Sequence, residues 1–187
     1  MKWRIDFRIW HWLHALVILA LLGTVFLRKT FLSWRDNSEI LTDKLFDMDI
    51  DVTLEQAKVL AKSIRAPMWD WHIYLGYGLA ALLLYRIVLF YTHKKEKEEL
   101  SLHKKLVKFS YLGIYTLLGF MTVSGFEIHF YKELGMSKDV THSIKELHEL
   151  AYNLVLIFVA LHLMGVLIAE NRDEKGIVSD MIHGGKS

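Results

Sequence analysis

The 187-residue sequence contains no cysteine and a single proline. Without cysteine, the chain has no disulfide, no thiolate metal site, no iron–sulfur cluster and no C-x-x-C-H attachment site for a c-type haem. Any metal that it binds must be held by imidazole or by oxygen. The net charge is also small, +2 with neutral histidines, and gives no sign of a nucleic-acid partner.

Hydrophobic residues make up 53% of the sequence and are concentrated in four blocks. The blocks are residues 9–27, 71–91, 109–126 and 150–169. Each is about as long as an α-helix that crosses the hydrocarbon core of a bilayer. The sequence therefore predicts an all-α membrane protein: one integral membrane domain over residues 1–187, built as a bundle of four transmembrane helices.

The charges of the connecting segments predict the orientation of these spans. The N-terminus is basic, and the link between the second and third spans is rich in lysine, whereas acidic residues outnumber basic ones in the first and third links. By the positive-inside rule, both termini and the middle link are cytoplasmic. The tryptophans lie near the span ends, as an interfacial belt would place them: Trp3, Trp10, Trp12, Trp34, Trp69 and Trp71.

The extracytoplasmic link over residues 28–70 is too long for a simple turn. Within it, residues 53–65 are predicted to form a short amphipathic helix that starts with a Thr53–Gln56 capping box and ends at Ala66-Pro67. Its apolar face comprises Leu54, Ala57, Leu60, Ala61 and Ile64. This helix is interpreted either as a lid on the outer membrane surface or as a docking surface for an extracytoplasmic partner.

Histidines recur at matched depths of the predicted spans. His148 and His162 are fourteen residues apart, which places them on nearly the same helix face and ~21 Å apart along the axis. With the predicted orientation, His72 lies at the outer level of His148, and His11 or His14 lies on the inner side with His162. One histidine in a span is readily satisfied by a hydrogen bond, but two depth-matched pairs require a stronger explanation.

Two pairs of imidazoles at two depths are typical of two b-type haems with bis-histidine ligation inside a helical bundle. A bare zinc or copper ion would instead need three or four ligands at one depth. The four iron ligands are therefore predicted to be His72 with His148 on the outer side, and His162 with His11 or His14 on the inner side. Depth alone favours His14, which lies further into the span.

The segment FRIWHWLHALVILALLG resembles the first span of the bacterial four-helix b-type cytochromes, and WHIYLGYGLAALLLYRIV resembles their second span, with its H-x-x-x-G pattern and an arginine ten residues on. This family is the cytochrome b561 class, related to the cytochrome b subunits of nickel–iron hydrogenases and the gamma subunits of formate dehydrogenases. The resemblance covers all four spans. The fourth-span pattern falls on His148 and His162. The tail RDEKGIVSDMIHGG is similar to the hydrogenase-type branch.

The resemblance implies that His11, in the His-Trp pair, is the inner ligand, and it leaves His14 as a second-shell or quinone-facing residue. It also maps His72, Gly76 and Arg86 onto cofactor-binding positions. Gly76 would let a porphyrin or a neighbouring backbone approach closely. Arg86 is predicted to pair with a haem propionate, or alternatively to reach the cytoplasmic headgroups.

The leading hypothesis is transmembrane electron transfer through two haem b groups, between an extracytoplasmic redox partner and the membrane quinone pool. The partner would be an iron–sulfur protein, a cytochrome c or a hydrogenase-type subunit, and the location would be the bacterial cytoplasmic (inner) membrane. His14 and His103 are candidates to contact quinone. The alternatives are a self-contained quinone-linked oxidoreductase resembling superoxide oxidases, and a scaffold or transporter subunit without cofactor.

Overall fold

The structure is a computed structural model that describes residues 3–92, 102–172 and 175–184, with only the backbone of residues 102–104. Over these ranges the chain forms α-helices and no β-strand. The helices are α1 (Ile5–Lys29), α2 (Trp34–Phe46), α3 (Leu54–Thr92), α4 (Leu102–His129), α5 (Lys138–Asn171) and α6 (Ile177–His183).

Four of these helices are long and apolar enough to cross a membrane: α1, α3, α5 and the part of α4 from Lys105 to His129. Most residues of their apolar windows are not buried within the protein. On α5, for example, Leu154, Ile157 and Leu161 are exposed. A soluble protein rarely exposes apolar surface on this scale, whereas lipid would cover it. The predicted class, an all-α protein with four membrane spans, is confirmed.

Helix α3 is longer than expected, because it joins the predicted amphipathic helix to the second span without a break. It runs through Pro67, so the prediction that a separate helix ends at Ala66-Pro67 is wrong. Proline removes one backbone hydrogen bond, but its fixed φ is helical. Helices at membranes accept such a residue when the flanking sequence stays helical. The start was predicted correctly, since Thr53 and Gln56 form the capping box, with bonds of 2.8 and 3.3 Å.

The link between the first and second spans also contains α2, which the apolar pattern does not predict. This helix is mostly polar and carries an acidic residue in its first turn and a basic one in its last, Asp36 and Lys44. Such charges suit the helix dipole. The apolar face expected on the next helix is buried at Ala57 and Ala61 only. Its larger members are exposed: Leu54, Leu60 and Ile64.

The chain divides into two compact units, which are described separately. One comprises Met1–Leu16 and Tyr77–Ser187, and the other comprises Val17–Gly76. In the first unit α4 packs along α5, and α6 contacts the end of α5. The Glu170 carboxylate accepts hydrogen bonds from the backbone N–H groups of Gly176 (2.9 Å) and Val178 (3.0 Å) at the start of α6.

Helix α6 also contacts the beginning of α1. The Arg8 guanidinium donates to the Ile182 carbonyl (3.0 Å), and the Trp12 indole N–H donates to the Met181 carbonyl (3.3 Å). Helix α6, which is part of the segment similar to the hydrogenase-type tail, therefore packs against the helix that carries His11.

Trp10 is part of the core of this unit. Only 2% of its surface is exposed, and its indole N–H donates to the Leu82 carbonyl on α3 at 2.8 Å. Its assignment to the interfacial belt is wrong. An indole at a span end can point inwards when a neighbouring helix supplies an acceptor for its N–H.

In the second unit, a cation–π contact between Lys62 and Trp34 links α2 to the first part of α3. The Lys62 ammonium lies 5.1 Å from the centroid of Trp34. The Arg28 guanidinium at the end of α1 lies 5.5 Å from the ring of Trp69 on α3. These cation–π contacts connect the three helical segments of the unit.

Candidate functional site

His11 on α1 and His162 on α5 face each other across the first unit. Their ring centroids are 6.2 Å apart and the ring planes are inclined by 56°. Phe158, one helical turn before His162, stacks nearly parallel to it at 6.1 Å, and Tyr111 on α4 contacts its edge at 6.3 Å. The two histidines therefore lie close together in an aromatic environment.

This spacing can be compared with that of two imidazoles on one metal ion. An imidazole nitrogen binds a first-row metal at about 2 Å and the ring centroid lies about 1 Å further back, so two imidazoles on opposite sides of an ion have centroids about 6 Å apart. His11 and His162 have this separation. Gly165, three residues after His162, adds room, since a Cβ there would meet no atom within 4 Å. The donor set and the separation of the two rings fit a haem held by two histidines.

His14, one turn after His11, has a different environment. It is only 8% exposed and stacks on Trp10 with a centroid distance of 4.7 Å. Its Nε2 is buried and has no hydrogen-bond partner within the described residues. A buried polar atom without a partner is costly and indicates a missing hydrogen-bonding group.

Arg86 on α3 is surrounded by aromatic rings of the same unit. Its guanidinium carbon lies 5.3 Å from Phe7, 5.3 Å from Trp10 and 5.5 Å from Tyr115. Its Nε donates to the Tyr115 hydroxyl at 3.2 Å. Because Trp10 contacts both His14 and Arg86, the cation and the unsatisfied imidazole belong to one cluster. The cation–π contacts place the guanidinium among these rings.

His148 lies near the start of the apolar part of α5 and contacts α4. Its Nδ1 is 2.8 Å from the Ser124 hydroxyl. A Cβ atom added to Gly125, the residue that follows Ser124, would lie 3.5 Å from the His148 Cε1 atom. The imidazole is therefore held against α4 by a hydrogen bond and by close contact with a residue that has no side chain.

His72 belongs to the second unit and has an analogous partner. Its Nδ1 lies 2.7 Å from the Thr24 hydroxyl on α1. Trp69, one turn earlier on α3, contacts the ring edge-on at a centroid distance of 5.6 Å. A Cβ added at Gly76, one turn later, would meet no atom within 4 Å. His72 and His148 fall in different units, so each is described with its own neighbours.

The structure thus brings together His11 with His162, and His14 with Arg86 through Trp10. The side chain of His103 lies outside the described residues. Sequence reasoning missed the hydroxyl partners of His72 and His148, which are Thr24 and Ser124. The available signal was that each is a hydroxyl residue within an apolar span, where a polar group needs a partner.

A membrane protein with four helical spans and paired inward histidines on different helices has the architecture of a membrane cytochrome b. The chain belongs to the prokaryotic cytochrome b561 family, whose family model matches residues 2–184. It is therefore a multi-pass bacterial membrane protein that binds b-type haem and transfers electrons across the membrane. Comparisons with curated proteins and with solved structures give no match.

Proposed function

We propose that this chain transfers electrons through two b-type haems, between an extracytoplasmic redox protein and the quinone pool of the bacterial cytoplasmic membrane. The observation that carries the proposal is the 6.2 Å separation of the His11 and His162 rings. It supports His11 over His14 as the inner ligand. When bound, haem supplies a one-electron ferric–ferrous couple whose potential depends on its ligands and surroundings.

The outer pair of ligands in this proposal is His72 with His148. Both imidazoles use Nδ1 for a hydroxyl contact, at 2.7 Å to Thr24 and 2.8 Å to Ser124. Metal-bound histidines typically make such a hydrogen bond with the nitrogen that does not bind the metal. His148 and His162 lie fourteen residues apart on the continuous helix α5, ~21 Å along its axis. One helix would thus contribute a ligand to each haem.

Arg86 is proposed to bind a haem propionate on the inner side, as a planar guanidinium binds a carboxylate through two parallel hydrogen bonds. Its Nε is used by Tyr115, so the terminal nitrogens would bind the carboxylate. His14, with its unsatisfied Nε2, is proposed to bind a quinone oxygen next to this cluster.

The proposed orientation places both termini and the middle link in the cytoplasm, so the link between α1 and α3 is extracytoplasmic. Helix α3 has 39 residues, about twice the number needed to cross a bilayer. Its N-terminal part carries exposed apolar side chains, including Val59 at 63% and Ile64 at 57%. These exposed residues support a docking surface for the electron-donating partner.

The experiment is to purify the full chain in mild detergent, measure protohaem per polypeptide and titrate the absorption spectrum against potential. We expect two b-type haems with distinct midpoint potentials, and reduction or oxidation by a quinone couple in proteoliposomes. A preparation that is folded and helical but shows no b-type absorption after reduction would overturn the proposal.

A further inference from the structure

We propose that Thr24 and Ser124 are positioning residues: the Thr24 hydroxyl fixes the Nδ1–H tautomer and ring orientation of His72, and the Ser124 hydroxyl those of His148, and each thereby lowers the reduction potential of the haem that its histidine would hold. The inference rests on the proposed function, because it takes His72 and His148 as iron ligands. It goes beyond the identity of the ligands, because it assigns to Thr24 and Ser124 the role of orienting the ligand histidines and lowering the reduction potential.

The Ser124 hydroxyl has one proton, and the surrounding atoms determine where it goes. The oxygen lies 2.7 Å from the Phe120 carbonyl and 3.3 Å from the Met121 carbonyl, both in the preceding turn of α4. Carbonyl oxygens only accept hydrogen bonds, and two oxygens lie 2.7 Å apart favourably only with a proton between them, so we assign the serine proton to the Phe120 carbonyl. The hydroxyl can then only accept from His148, and the 2.8 Å contact requires a proton on His148 Nδ1.

The same reasoning applies to Thr24 on α1. Its hydroxyl donates a hydrogen bond of 2.6 Å to the Leu21 carbonyl. The 2.7 Å contact to His72 is therefore a bond in which His72 Nδ1–H donates to Thr24. Helices α1 and α4 thus present the same arrangement: a hydroxyl that donates to a carbonyl of its own helix and accepts from a histidine.

The chemical consequence is a defined tautomer. A neutral imidazole protonated at Nδ1 has its lone pair on Nε2, the nitrogen further from the main chain and able to reach a ligand beside the helix. The hydrogen bond also restricts rotation of the ring, and it makes the ligand more basic by drawing its proton towards the hydroxyl. A more basic imidazole stabilises ferric over ferrous iron, so the bond lowers the midpoint potential.

The proposed inner ligands, His11 and His162, differ in this hydrogen bond. Within the described ranges, His11 and His162 have aromatic neighbours and no hydrogen bond from a ring nitrogen to a hydroxyl. The hydroxyl contacts thus contribute to a lower potential at the outer haem than at the inner one. Such a difference favours electron movement from the outer side towards the inner side.

The test uses Ser124→Ala and Thr24→Ala in the full-length protein, with one matched control on α4 and one just after the end of α1. Thr122→Ala removes a hydroxyl of α4 that donates to the Leu118 carbonyl (2.9 Å), and Thr30→Ala removes a hydroxyl just beyond α1 that donates to the Phe26 carbonyl (2.8 Å). Thr24→Ser keeps the hydroxyl and tests rescue. The readouts are haem content, both midpoint potentials and the low-temperature EPR spectrum of the ferric protein.

We expect each alanine variant to shift the ferric–ferrous equilibrium of one haem about three- to tenfold towards the ferrous form. This shift raises the midpoint potential of that haem, and a tenfold change is 59 mV for a one-electron couple. The EPR signal of that haem should change with ring orientation, while Thr24→Ser, Thr122→Ala and Thr30→Ala match the wild type. Selective loss of one haem from Ser124→Ala also supports the inference, because outer-shell partners are worth about 10- to 100-fold in metal affinity.

The inference is overturned if both alanine variants retain two haems with wild-type midpoints and EPR spectra. This outcome differs from failure of the proposed function. In that case the wild-type protein lacks two b-type haems, or His148→Ala retains both, whatever the hydroxyl variants do.

Discussion

The ring of His162 is stacked against Phe158, with planes only 8° apart and centroids at 6.1 Å, while the ring of His11 approaches it from α1 at 6.2 Å. The phenyl ring, one turn earlier on α5, packs along one face of the imidazole. This arrangement is the reason for proposing His11 as the inner ligand, whereas depth along the span favours His14.

The first prediction concerns this choice. His11→Ala should lose about half of the protohaem, because one axial ligand of the inner haem is removed, whereas His14→Ala should retain all of it. Protohaem per polypeptide, measured as the pyridine complex, checks both. His142→Ala is the matched control, since His142 is an exposed histidine that pairs with Glu146 at 3.4 Å. Full haem content in His11→Ala together with a loss in His14→Ala would reverse the assignment.

The second prediction concerns the cation of the aromatic cluster. Arg86→Gln should lower the inner midpoint potential, because a positive charge near a haem disfavours the ferric state. At ~10 Å and an effective dielectric constant of ~20, the charge is worth about 1.7 kcal/mol. Spectroelectrochemical titration measures the shift. Arg86→Lys should restore part of it by keeping the charge, and Tyr115→Phe, which removes only the 3.2 Å hydrogen bond, should change it less. An unchanged midpoint in Arg86→Gln would place the guanidinium away from the haem.

The third prediction concerns stability. Trp10 is 2% exposed, and its N–H donates to the Leu82 carbonyl. Trp10→Ala should destabilise the protein by roughly 3–5 kcal/mol, as truncation of buried aromatic residues does. Trp10→Phe should cost less, about 1 kcal/mol for the lost hydrogen bond plus some packing.

Thermal unfolding in detergent, followed by circular dichroism, measures these effects. Trp71→Ala is the control because Trp71 is 65% exposed. Equal melting temperatures for Trp10→Ala and Trp71→Ala would contradict the placement of Trp10 in the core.

The fourth prediction concerns the extracytoplasmic partner. Ile64→Asp puts a charge on the exposed apolar surface of the N-terminal part of α3, and it should abolish co-purification of the redox partner without changing haem content. Affinity purification from membranes of the native host, with mass spectrometry, reads this out. Leu134→Asp changes an equally exposed residue (58%) in the loop between α4 and α5 and serves as the control. Wild-type recovery of the partner by Ile64→Asp would argue against this docking surface.

Much of this protein could be predicted from its sequence, because the membrane makes the pattern simple. A span needs about 20 apolar residues, so four apolar blocks predict four helices whatever their contacts. The capping box at Thr53 was predictable for a similar reason, since it depends on residues three positions apart. Helix α2 was not predicted because its sequence is mostly polar. The only local sign of a helix there is the pair of charges at its two ends.

The remaining features depend on contacts between helices. Pro67 indicates a helix end locally, yet α3 continues through it because both flanks stay helical. Trp10 appears at a span end in the sequence and is buried only because Leu82 supplies a carbonyl from another helix. The Thr24 and Ser124 contacts join residues 48 and 24 positions apart, a relationship that no local pattern encodes.

The central claim is that α5 supplies one ligand to each of two haems, and the most direct measurement is haem content with redox titration for His148→Ala, His162→Ala and the double variant. Each single variant should retain about one haem, with the lower-potential component lost from His148→Ala and the higher one from His162→Ala, and the double variant should retain none. Two haems with unchanged midpoints in either single variant would contradict the claim.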